Sequence, residues 1–187
     1  ILSEYDSMET CSAWGFGAGL ASNIPEPSEF FSLTGTPEAT CAPGKGVAEA
    51  YCKIQPLVKP QAPCQLNPVL ESMIQRVAEA DRQSKHGVYF ILALFTDGNI
   101  CDNDRVADTF RSAASLPLSV IVIGEEDADR PLLDIFEEQP TKLTGACPTR
   151  KVAHFIPFRQ YREEVAPLAG LIRSYISDEF CTFFRRH

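Results

Sequence analysis

Eight nearly continuous apolar residues, Val88-Tyr-Phe-Ile-Leu-Ala-Leu-Phe95, stop abruptly at Thr96-Asp97-Gly98 and give way to the acidic segment Asn99–Asp104. A run of that length and composition suits a strand buried on both faces, as in a parallel sheet covered by helices. An Asp at the carboxyl end of such a strand stands where open α/β sheets place their ligand sites. Asp97 is therefore the first candidate for a metal or polar ligand, and a turn-forming Asp before Gly98 is the competing reading. One carboxylate establishes neither.

The remaining pattern agrees with an α/β chain. Asn67-Pro68 starts a helix, with a side-chain cap before Pro at the first helical position, and Val69, Met73, Val77 and Ala80 mark its apolar face to about Gln83. Asp102 or Asn103 opens another helix in which Val106, Phe110 and Ala113 share a face. Leu118–Gly124 reads as a second buried strand, Pro131–Glu138 as a helix, and Val152–Pro157 as an edge strand. A final helix is expected from about Gln160 to Phe184, with Pro167 as a bend. Ahead of these, Ile1–Tyr5 reads as a helix end and Cys11–Gly19 as a short strand running into a glycine-rich turn. Residues 20–42 form an irregular excursion, and Val47–Ile54 a short helix. Strand and helix alternate, which predicts a doubly wound, mostly parallel sheet with helices on both faces.

At 187 residues the chain suits one domain, and its 44% hydrophobic content is globular. A formal charge of -8 argues against nucleic acid as a partner. The terminal Arg185-Arg186-His187 is too small a patch to carry membrane binding alone. The seven cysteines form no C-x-x-C pair, so neither zinc nor RING spacing has support. Dispersed single cysteines fit a reducing compartment, where they act as small apolar residues. No apolar run approaches the roughly 18 residues a membrane span needs, and the start lacks the features of a signal peptide. The chain opens on Ile1 rather than Met, so the gene product is expected to begin earlier.

Other motifs fail on inspection. Gly15-Phe-Gly17-Ala-Gly19 lacks the third position of a dinucleotide fingerprint, where Leu20 stands, and reads as a tight turn. A helix-loop-helix calcium site built on Asp97 and Asn99 would need an oxygen ligand at Cys101, Gly at Asp102 and Glu at Asp108. Only His86, His154 and His187 could serve a nucleophile, and His154 lies in an apolar run where a satisfied core or edge histidine is the commoner outcome. No G-x-S-x-G elbow occurs.

Several segments in order resemble the von Willebrand factor A-type domain of copines. They are Tyr5-Asp-Ser7, Trp14-Gly-Phe-Gly-Ala18, Gly46-Val-Ala-Glu-Ala-Tyr51, Phe95-Thr-Asp-Gly98, Ala113–Gly124 and His154-Phe-Ile-Pro-Phe-Arg-Gln-Tyr161. The set spans nearly the whole chain and identifies residues 1–187 as a partial domain of this type. The resemblance implies a doubly wound sheet with a metal-ion-dependent adhesion site at its carboxyl edge, where three loops surround magnesium. The third loop maps onto Asp97. The second should read Pro-Thr-Asn-Phe-x-Pro, but Pro63-Cys-Gln-Leu-Asn-Pro68 puts Cys64 in place of the ligand Thr. The first loop, an Asp-x-Ser-x-Ser, has no counterpart. Magnesium wants about six oxygens, and a thiol is a poor substitute, so weak binding at Asp97 is the most expected and no cofactor is assigned.

In that fold the first strand lies at the centre of the sheet. Each buried backbone group left unpaired by its loss would cost about 1–3 kcal/mol, against a total stability of about 5–15 kcal/mol. The sequence is therefore expected to belong to a longer chain, to gain a strand from another segment, or to close its sheet differently. The function expected is a non-enzymatic, cytoplasmic protein-interaction domain with a degenerate metal site. Its partner, of unknown identity, would meet Cys64, Asn99, Asp102 and Asp104. The alternative is a part of a calcium-dependent phospholipid-binding copine in membrane trafficking or signalling, with membrane contact made only through domains outside this chain. Any enzyme activity ranks third.

Overall fold

The computed structural model describes residues 10–20, 30–84, 87–125 and 150–185, and the chain divides into two units, residues 1–69 and 70–187. In the first unit, β1 (Cys11–Ser12), β2 (Trp14–Phe16) and β3 (Ala18–Leu20) follow one another along a single extended stretch. Gly17, at φ 68°, separates β2 from β3. A side chain there would be strained, and its Cβ would lie 3.1 Å from that of Cys64. The partners come from further along: β4 (Phe30–Ser32) pairs with β2, and β5 (Thr40–Cys41) with β1, both antiparallel. Trp14 stacks on Phe30 with ring centroids 4.5 Å apart. Both partner strands fall within the stretch expected to be irregular. Strands of two or three residues are too short for hydrophobic periodicity to register.

Helix α1 (Lys45–Ile54) begins two residues before the expected Val47 and leads through a 3-10 turn into β6 (Val58–Pro60). That strand pairs antiparallel with β3 and ends on a proline, which has no N–H to continue a ladder.

Helix α2 (Asn67–Ser84) matches its expected span; Val69 and Val77 are buried while Met73 and Ala80 are half-buried. It begins at the end of the first unit and continues in the second. There β7 (Phe90–Thr96), α3 (Asn103–Ala113), β8 (Leu118–Gly124) and β9 (Ala153–Pro157) follow. The three strands form a parallel sheet in the order β7-β8-β9. The expected α/β fold is realised here, with β9 at an edge among the described strands, as its proline suggested. All seven residues of β8 are buried. Because alternate side chains point to opposite faces, that pattern requires both faces of the sheet to be covered.

The 88–96 run behaves differently from its sequence. Along β7 only Leu94 is buried, and Phe95 is 67% exposed. Among the described strands β7 stands at the end of the sheet order, whereas β8 has a neighbour on each side. The Phe90 N–H donates to the Pro117 carbonyl, so alternate residues from Phe90 face β8. By the same alternation the backbone groups of Ile91, Ala93 and Phe95 point to the outer edge. Burial on both faces belongs to the strand with two neighbours, and hydrophobicity alone does not reveal which strand that is.

Helix α4 (Val165–Phe184) contacts β8. Its buried stripe of Leu168, Ile172, Ile176, Glu179 and Phe183 recurs at helical spacing. The helix starts later than expected, after a 3-10 turn over Phe158–Tyr161. Pro167 thus falls in the first turn, where backbone N–H groups need no intrahelical partner, and the proline explains a start rather than a bend. The readings for residues 1–5 and 131–138 lie outside the described residues.

Candidate functional site at the carboxyl end of the parallel sheet

Where β7 ends, local hydrogen bonds build the loop. Thr96 Oγ1 accepts the Gly98 N–H at 3.0 Å, Asp97 Oδ1 accepts the Asn99 N–H at 3.0 Å, and the Gly98 carbonyl accepts the Ile100 N–H at 3.0 Å. This is the turn chemistry that Asx residues favour, with a glycine following at φ 87°. Gly98 and Ile100 are buried while Asp97 and Asn99 are exposed, so the turn presents polar side chains over an anchored backbone. We expect Gly98→Ala to lower stability by about 1–2 kcal/mol, because the left-handed conformation crowds a Cβ. Urea denaturation checks this, and an unchanged midpoint would contradict it.

The other residues read from the sequence lie on the same stretch, apart from Cys64. Asp102 occupies the N-cap of α3 without a side-chain capping bond, and its carbonyl accepts the Val106 N–H at 3.1 Å. Asp104 is exposed in the first turn, where a carboxylate complements the helix dipole. Cys64 is half-buried in the first unit, beside the Gly17 backbone. His86, His187 and Cys147 lie outside the described residues.

Magnesium would need several hard oxygens around one point. Among the described residues no three His, Cys, Asp or Glu side chains converge on such a point. Asp97 Oδ1 is already engaged by the Asn99 N–H. Those four residue types alone build no magnesium centre among the described residues.

Sequence reasoning missed a polar constellation among the described residues of the second unit. Arg150 has its side chain 1% exposed, and its Nη1 donates to Glu179 Oε2 at 2.9 Å and to Tyr89 Oη at 3.1 Å. Its Nη2 donates to the carbonyls of Leu116 and Leu118, each at 2.8 Å. Tyr89 Oη lies 2.7 Å from Ser119 Oγ, and the Arg150 guanidinium stands 5.6 Å from the Phe183 ring centroid. Burial pushes the Tyr89 phenol above its ordinary pKa of 10.0, against the opposing pull of the Ser119 bond and the Arg150 charge. His154 stacks on Tyr175 at 4.1 Å, with Nε2 3.4 Å from Glu179 Oε1, an ion-pair separation without hydrogen-bond geometry. His154 is packed as its apolar surroundings suggested, but its Nε2 is not satisfied by a hydrogen bond. The network ties β8, β9 and α4 together. One signal was legible: Glu179 sits in the apolar stripe of α4, where a buried acid demands a cationic partner.

A parallel α/β sheet with a loop at its carboxyl end defines a class of fold rather than a particular chemistry. Among the described residues, no helix is long and apolar enough to cross a membrane. A sequence profile of the copine family, described as Copine, matches residues 1–178. The chain belongs to the copine family.

Proposed function

We propose that this chain is a non-enzymatic, cytoplasmic protein-interaction domain of a copine, with a degenerate metal site and recognition that does not depend on metal. The observation that carries the reading is the use of Asp97 Oδ1 as a turn acceptor within an exposed, acidic loop. Among the described residues no group of three His, Cys, Asp or Glu could hold a metal ion, while Asn99, Asp102 and Asp104 offer polar groups to a protein surface rich in Lys or Arg. Family membership supports the interaction role.

Titration calorimetry with magnesium, manganese or calcium should show no saturable micromolar binding. Saturable binding abolished by Asp97→Ala would overturn the metal-independent reading. Partner capture should survive chelator and fall at least tenfold in an Asp102→Lys, Asp104→Lys variant that folds normally. Strict dependence on a divalent ion would sink the proposal. Membership also favours a second reading, in which the chain serves a calcium-dependent phospholipid-binding copine. Calcium-dependent sedimentation of the full-length gene product with phosphatidylserine vesicles, and not of this chain alone, would favour it.

A further inference from the structure

Seven cysteines spread through a chain read as independent small apolar residues, but the fold brings two of them face to face. Cys11 and Cys41 are direct partners in the β1–β5 register, with Sγ atoms 3.9 Å apart. The Ala13 N–H donates to the Ala39 carbonyl at 2.9 Å and holds that register beside the strand pair. Both are thiols and both are half-buried, so a small reagent can reach them. Directly opposed residues of an antiparallel pair have Cα atoms about 4.5–5.5 Å apart, inside the window of about 4.4–6.8 Å that a disulfide spans. Cys52, Cys101 and Cys181 are exposed instead, on α1, on the loop before α3 and on α4.

We propose that Cys11 and Cys41 form a redox-responsive dithiol, oxidised by a low-molecular-weight disulfide of the glutathione type. One cysteine thiolate attacks a sulfur of oxidised glutathione, forming a mixed disulfide and expelling one glutathione thiolate, which takes up the proton lost by the cysteine. The second cysteine, as thiolate, attacks the protein-bound sulfur of that mixed disulfide. It forms the Cys11–Cys41 bond and expels the second glutathione, which again takes the proton. Two thiols are oxidised and one disulfide is reduced to two thiols. In a reducing compartment the pair stays as thiols, and a shift in glutathione poise closes it.

The test equilibrates the full chain with buffers of increasing oxidised-to-reduced glutathione ratio, blocks remaining thiols by alkylation and maps the peptides. Cleavage after Glu separates the two cysteines at Glu29 and Glu38, whereas trypsin leaves both in one peptide ending at Lys45. Expected is a Cys11–Cys41 link that grows with the ratio, disappears with dithiothreitol and gives way to scattered links in concentrated urea. Cys52, Cys101 and Cys181 should carry glutathione adducts under the same conditions. In Cys41→Ser, Cys11 should retain one glutathione instead of forming the link. The proposal is overturned if both cysteines remain alkylated, or carry separate glutathiones, at ratios that modify Cys52. It is equally overturned if Cys11 links to another cysteine in the folded protein.

Discussion

Replacing Arg150 with Met is expected to lower the stability of the second unit by about 3–5 kcal/mol, the cost of leaving one member of a buried ion pair without its partner. Glu179, with its side chain 10% exposed, would lose its ion-pair partner, leaving the His154 imidazole 3.4 Å from Oε1. The Leu116 and Leu118 carbonyls and the Tyr89 hydroxyl would each lose a charge-assisted donor as well. At about 2–4 °C per kcal/mol for a chain of this size, the thermal midpoint should drop by on the order of 10 °C. The double variant Arg150→Met, Glu179→Leu should recover much of that loss, since an apolar pair of similar volume avoids stranding either charge. Circular dichroism melts of the three proteins decide the matter. A single variant within about 1 kcal/mol of wild type would mean that water reaches the site and the network is not a structural clamp.

The second large effect is expected at Phe110. This side chain is 2% exposed on the face of α3 that also buries Val106 and Ala113. Phe110→Ala removes a full ring from a packed interior and should cost about 3–5 kcal/mol, transfer and cavity terms together. Phe95→Thr makes the contrast. That ring is 67% exposed on β7, and its loss should stay within about 0.5 kcal/mol. Urea denaturation of both variants measures the difference. Comparable losses would show that Phe95 is covered in solution, and a small loss at Phe110 would show that the α3 face repacks freely. Since α3 follows directly on the Asp97–Asp102 loop, amide exchange of Asn99 and Ile100 should also accelerate in Phe110→Ala and not in Phe95→Thr.

These two phenylalanines show where local pattern stops being informative. The periodicity of Val106, Phe110 and Ala113 declares both a helix and its inward face, because a helix buries one stripe and the stripe is written at fixed spacing. A strand's apolar run declares only that a strand exists. Phe95 lies in a more continuous apolar run than most of β8, yet β8 is the one buried throughout. The deciding quantity is the number of neighbouring strands, and that is a property of the sheet. The same limit hid β4 and β5, whose two or three residues acquire meaning only from the partners across from them.

The candidate site divides along the same line. Thr-Asp-Gly after a long strand was enough to locate the loop, and the turn-forming role of Asp97 was one of the two readings the residues allowed. Its turn-forming role rests on its bond to the Asn99 N–H, a contact of two residues in a particular backbone conformation. The Arg150 network could not be read as a set, because Tyr89, Ser119, Arg150, His154 and Glu179 are brought together from four separate segments. Nor could the Cys11–Cys41 pair, thirty positions apart, be told from any other two cysteines.

By itself the sequence determined the family, the α/β class, the span of α2, the strand at β8 and the place of the Asp97 loop. Each is encoded in neighbouring residues whose propensities and spacing act within a few turns of chain. The tertiary structure alone decided which strand is buried, which acid is paired and which thiols meet. Those outcomes depend on distances between residues far apart in the chain, set only when the sheet and its helices close on one another.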